Sequence, residues 1–172
     1  MQRAEAAVDD LAARLRAAVR TLHDLRGRER ELGELSAPDL ERDAGLVREL
    51  PGVTSVEVHD EAVVLETGPV TIERSGAVHD IGRFRIELSP ATGARVFLVE
   101  QPRGVRGAWI HPHVQADLPC LGNARVGVEK LLGDLQLVAA AQVMLRFLET
   151  YDEESAYCPL EAWPQLEGGT AA

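Results

Sequence analysis

The stretch Trp109-Ile110-His111-Pro112-His113-Val114-Gln115-Ala116-Asp117-Leu118-Pro119-Cys120-Leu121-Gly122-Asn123 concentrates the chain's reactive side-chain types. A thiolate is a good nucleophile near neutral pH and a good leaving group afterwards. A cysteine close to two histidines and a carboxylate is therefore a candidate nucleophile, suited to accept an acyl group. Amine attack builds an oxyanion, which needs donors already in place, and a neutral imidazole offers one N–H. Two other readings use the same residues. His111, His113 and Cys120 are zinc-ligand types, with Cys158 or His79 to complete four, but the spacing fits no common zinc pattern. Alternatively, the cysteine is a small buried hydrophobe and the histidines satisfy backbone carbonyls.

The elements that must position these residues can be read from periodicity. Residues 2–35 carry Val8, Leu11, Leu15, Ala18, Leu22, Leu25 and Leu32 in alternating steps of three and four, broken only at Glu29. That spacing predicts a heptad helix with one face in need of a cover. Seven acids balance seven bases in the segment. Residues 8–32 are expected to self-associate or to dock a partner. Ser36 and Pro38 restart a helix that runs to about Leu50, with Leu40, Leu46, Val47 and Leu50 on its apolar side and Pro51-Gly52 as its stop.

From Val53 the period changes to two. Runs at 53–58, 62–65, 70–73, 81–88 and 95–99 are separated by turn-forming pieces such as Gly68-Pro69 and Ser75-Gly76. Strands in series with no helix between them predict an antiparallel meander. After the reactive stretch, residues 128–151 read as one strongly apolar buried helix. An acidic, proline-containing tail follows, and residues 167–172 form a small-residue end. The fold class is α+β, with residues 1–35 as a coiled-coil-like helix and 36–166 as the main domain.

The order of these elements resembles the ubiquitin-conjugating enzymes. That family runs helix, four-stranded meander, His-Pro-Asn motif, Cys-Leu nucleophile segment and crossover helix. The corresponding pieces here are helix 37–50, meander 53–99, His111-Pro112-His113, Cys120-Leu121 and helix 128–151. The acidic Tyr151–Tyr157 segment stands where the family has an acidic, proline-containing one. The resemblance covers about residues 37–165 and is stronger to the bacterial conjugating-like proteins of ubiquitination-like operons. His113 replaces the family's asparagine, the gap to Cys120 is one residue shorter, and the C-terminal helices are reduced to a short turn around Pro159–Trp163.

The resemblance implies a carrier that receives a ubiquitin-like protein from an activating enzyme as a thioester on Cys120 and passes it to a target amine. It implies no cofactor on this chain and, in bacteria, a link to antiphage defence. His113 would take the oxyanion role. Asp117, Asp152 or Glu153 would orient or deprotonate the amine. His111 and Pro112 would fix the turn, Asn123 would brace the loop after the cysteine, and Tyr151 and Tyr157 would gate the groove or pack. Cys158 lacks the His-Pro context and reads as a bystander. The alternative is an inactive RWD-like or conjugating-variant adaptor, although such relatives usually lack the cysteine.

Composition constrains the partners. The 172 residues carry a formal net charge of -10, which argues against nucleic acid and anionic membranes as partners. No apolar run approaches the ~20 residues of a membrane span, and the N-terminus has no signal-peptide pattern. With only two cysteines, the chain reads as reduced and cytoplasmic.

Overall fold

The computed structural model describes residues 37–59, 62–105 and 108–166. The heptad segment at 2–35, its docking face at 8–32 and the end at 167–172 lie outside the described residues. The chain divides into two units between Asp39 and Leu40.

Helix α1 spans Ala37–Arg48. Arg48 sits in its last turn, where a cation complements the helix dipole, and Arg48 Nη2 donates to the Val56 carbonyl at 3.0 Å. The buried side of α1 is Ala44 and Val47, while Leu46 is 46% exposed. The expected apolar side therefore rotates: Ala44 and Val47 enter the core, and Leu46 faces water. The helix ends at Arg48 because Gly52, with φ +83°, reverses the chain into the first strand.

Strands β1 (Val53–His59), β2 (Ala62–Thr67), β3 (Val70–Arg74), β4 (Ala77–Ser89) and β5 (Gly93–Glu100) form one antiparallel system. β1 pairs β2, and both β2 and β3 pair β4. β2 and β3 lie end to end along one edge of β4 in a single register. Leu65 faces Ile86 and Ile72 faces His79, seven residues further along each strand. The five strands are thus a four-run meander whose second run is interrupted at Gly68-Pro69. The turn at Ser75-Gly76 has positive φ at both residues (52° and 78°), the conformation of a two-residue hairpin turn.

Both long runs change phase at the same level. Val63, Leu65 and Thr67 face the core before the interruption and Val70 and Ile72 after it; opposite them, Phe84, Ile86 and Leu88 give way to His79 and Ile81. A bulge in each strand keeps the apolar residues on one face. Gly82 carries the turn in β4 with φ +111°, and a Cβ there would meet the Glu100 carbonyl oxygen at 2.4 Å.

Helices α2 (Arg125–Gly133) and α3 (Leu137–Leu148) contribute Val128, Leu132, Leu137, Ala140, Ala141, Met144 and Leu148 to the core shared with the sheet. The single helix expected over 128–151 is in fact these two. Leu135 adopts φ +58°, which no α-helix accommodates, and Gln136 N–H turns back to the Leu131 carbonyl at 2.8 Å. The C-terminal segment closes the free edge of β4: Asp80 N–H donates to Pro164 O at 3.0 Å and Leu166 N–H to Val78 O at 2.9 Å. The architecture is α+β, an antiparallel sheet with helices on one face. Among the described residues no helix is long and apolar enough to cross a membrane.

Candidate functional site

The reactive stretch folds as a small hairpin, β6 (Val114–Gln115) and β7 (Leu118–Pro119), closed by Ala116-Asp117. His113 and Cys120 stand opposite each other at its base, with Cys120 N–H donating to the His113 carbonyl at 2.8 Å. Its tip is fastened to β5: Val96 N–H donates to Asp117 O at 2.9 Å, and Arg95 Nη1 meets the Asp117 carboxylate at 3.1 Å. The hairpin thus presents Cys120 at a fixed position ahead of α2, where Gly122 (φ +51°) turns the chain into a 3₁₀ turn, Gly122–Ala124. Cys120 is a half-buried free thiol.

His111 is fully buried, with its ring edge-on to Phe84 and 5.5 Å from the Phe147 ring. Its Nε2–H donates to the Leu148 carbonyl at the end of α3 (3.0 Å), and its Nδ1 accepts the His113 N–H at 3.1 Å. Those two bonds define a neutral imidazole with the proton on Nε2. Burial pushes its pKa down to about 4, against the smaller opposing pull of the Leu148 carbonyl. His111 therefore ties the Pro112-His113 turn to the end of α3.

His113 is also buried, and its ring serves the loop that follows α3. Its Nε2 accepts the Asp152 N–H at 3.0 Å. Burial lowers its pKa, more than Ser155 and the Asp152 charge raise it. Its Nε2 is taken up by the Asp152 N–H, so the ring braces the hairpin against the loop.

Asp117 is likewise committed. Its carboxylate pairs with Arg95, and the hairpin places it three residues from Cys120, about 10 Å along the strand. It pins the tip and is not poised to take a proton from an amine. Asp152 is exposed. Its carboxylate accepts from Ser155 Oγ at 2.8 Å and from Glu154 N–H at 3.2 Å, and these bonds, Ser155 first, hold it below the usual carboxylate range. Glu153 pairs with Arg74, whose guanidinium lies 4.8 Å from the centre of the Tyr151 ring. The Tyr151 hydroxyl accepts the Leu160 N–H at 3.3 Å, so Tyr151 anchors the C-terminal segment. Asn123 is exposed on the 3₁₀ turn and makes no side-chain hydrogen bond among the described residues.

Tyr157 is fastened to the same His-Pro-His turn as the thiol. Its N–H donates to the Pro112 carbonyl at 2.9 Å, beside the His113 carbonyl that holds Cys120. Its ring stacks on Trp109, with centroids 6.4 Å apart and planes 2° from parallel. Hydrogen bonding with Cys120, then the thiolate's charge, then burial raise the phenol's pKa. From sequence alone Tyr157 is open between gating and packing; the one signal is scarcity, since the chain has only two tyrosines and two tryptophans. Cys158 is buried, which raises its thiol pKa and keeps it from solvent. Among the described residues no three His, Cys, Asp or Glu side chains gather to hold a metal ion.

Comparison with protein-family models, with curated proteins and with solved structures yields no match for this chain.

Proposed function

We propose that this chain is a ubiquitin-conjugating-like acyl carrier, with Cys120 as its nucleophile. The observation that carries the reading is the contrast between the two thiols. Cys120 is half-exposed at the base of a pinned hairpin, whereas Cys158 is buried. In loading, the Cys120 thiolate attacks the thioester carbonyl carbon on an activating enzyme, and that enzyme's sulfur leaves with the electron pair. In discharge, an amine attacks the Cys120 thioester, the new C–N bond forms, and Cys120 leaves as thiolate. The exposed carboxylate of Asp152, held ionised by its own turn, faces the solvent through which a cationic amine would approach. The acyl group is a ubiquitin-like protein, the pathway a bacterial ubiquitination-like one linked to antiphage defence, and the compartment the cytoplasm.

The test is to recover the chain from cells of its source under non-reducing, mildly acidic conditions. The reading expects an adduct that a thiol reductant releases, lost in Cys120→Ala and kept in Cys158→Ala. One observation favours the adaptor alternative: His113 and Asp117 are both spent on structure. A Cys120→Ala chain that retains partner binding and complements the cellular phenotype would establish the adaptor and refute the carrier.

A further inference from the structure

His113 joins two segments, one through its backbone and one through its ring. Its carbonyl accepts the Cys120 N–H at 2.8 Å and its own N–H donates to His111 Nδ1 at 3.1 Å, so its backbone belongs to the hairpin. Its ring Nε2 accepts the Asp152 N–H at 3.0 Å and fastens the start of the loop at 152–156. A neutral imidazole that accepts through Nε2 carries its proton on Nδ1, whereas a protonated one donates from both nitrogens. The bond to Asp152 N–H therefore exists only for the neutral ring. The loop's next attachment is the ion pair of Glu153 with Arg74, in which the Glu153 side chain is 71% exposed, and exposed pairs hold weakly.

We propose that His113 is a proton-operated latch: protonation of its ring releases residues 152–156 from the hairpin that carries Cys120, and the imidazolium then pairs with the Asp152 carboxylate. The inference concerns the loop and does not rest on the carrier reading. The surroundings of the ring offer a cation little while the loop stays in place. The turn contributes His111, buried and neutral, with its ring centroid 6.1 Å away, and the hairpin contributes the Cys120 thiol. α3 contributes the Phe147 ring at 6.3 Å, and the Tyr151 ring follows at 5.7 Å. On Tyr151 lies the guanidinium of Arg74, itself a cation. Of the two acids at the start of the loop, Glu153 is paired with Arg74. The other is Asp152, whose carboxylate accepts from Ser155 Oγ and Glu154 N–H while its backbone N–H faces the ring. A buried imidazolium against an N–H is costly, and exchanging that N–H for the carboxylate of the same residue removes the cost. The lowered pKa of His113 agrees with a latched state that favours the neutral ring. The latch is closed at neutral pH and opens as pH falls below the ordinary histidine value. One proton allows the ratio of released to latched chains to rise by at most about tenfold per pH unit.

The test is an NMR titration of the full chain, labelled with nitrogen-15 and carbon-13, from pH 7.5 to pH 5. The His113 ring signal is the one lost in His113→Gln, a variant whose amide oxygen accepts from Asp152 N–H and does not titrate. The Asp152 amide and the His113 ring are expected to move together with one midpoint below pH 6.5. The heteronuclear NOEs of residues 152–156 are expected to fall through the same midpoint, while those of β4 and α3 stay rigid. His111 titrates at about 4 and the Asp152 carboxylate lower than usual, so neither supplies this midpoint. In His113→Gln the loop should stay rigid down to pH 5. In Asp152→Asn, which keeps the N–H and removes the charge, the His113 midpoint should move to lower pH. An Asp152 amide indifferent to the His113 titration, or a loop that stays rigid once His113 is protonated, overturns the proposal. So does a loop that loosens only together with β4 and α3. If His113→Gln does not fold, the parent titration and Asp152→Asn decide the matter by the same criteria.

Discussion

Lowering the pH from 7 to 5 should cost this fold about 2 kcal/mol through His111 alone. The ring has no exposure, its Nδ1 is occupied as an acceptor, and its pKa in the fold is about 4 against an ordinary 6.5. Because the folded value is the lower one, the unfolded chain binds the proton first. Stability is therefore fully present above pH 6.5 and is lost as pH falls toward 4. A gap of about 2.5 on the pH scale, at about 1.4 kcal/mol per unit, sets a limit of roughly 3.5 kcal/mol, of which about 2 falls between pH 7 and pH 5. Urea unfolding followed by the fluorescence of Trp109 and Trp163 reads this. The control is His111→Asn, which cannot titrate and leaves His113 in place. The variant should be the less stable chain at pH 7, with the difference shrinking by about 2 kcal/mol at pH 5. Parallel pH profiles in the two chains would refute a buried neutral His111.

Three further outcomes follow from the same geometry. Gly82→Ala places a methyl group 2.4 Å from the Glu100 carbonyl at a φ of +111° and should destabilise the chain by roughly 2–4 kcal/mol in urea unfolding. Ala116→Gly relieves a φ of +58° in the turn between β6 and β7 and should stabilise by about 0.5–1 kcal/mol, read as a higher urea midpoint. Asp117→Asn removes a partly exposed ion pair and should cost less than about 1 kcal/mol. Its discharge rate to glycinamide should stay within a few-fold of the parent's, whereas a loss of a hundredfold would restore Asp117 as a catalytic base.

The sheet was legible because its signals are local. Period-two apolar runs and turn pairs such as Ser75-Gly76 mark strands and reversals without reference to distant residues. The split between α2 and α3 was not, because a leucine in the left-handed region leaves no trace in an apolar pattern that continues through it. Leu46 and Ala44 exchanged places for a related reason: helical spacing fixes a face only to within neighbouring positions. At the site, the thiol and its His-Pro-His turn could be located from residue types. What His113 and Asp117 do could not, because their partners lie at Asp152 and Arg95, joined only by tertiary folding. Tyr157 joins the His-Pro-His turn through a backbone bond to Pro112 that no spacing rule encodes.

The most direct test of the central claim is to locate the acyl bond. Cys120→Ser replaces the labile thioester by an oxygen ester that resists thiol reductants. The chain carrying it, recovered from cells of its source and digested, is analysed by peptide mass spectrometry. The account predicts an acyl remnant of a protein C-terminus esterified at residue 120, with the Cys158 peptide unmodified. An adduct mapped to Cys158 or to a lysine, with residue 120 unmodified, would contradict it.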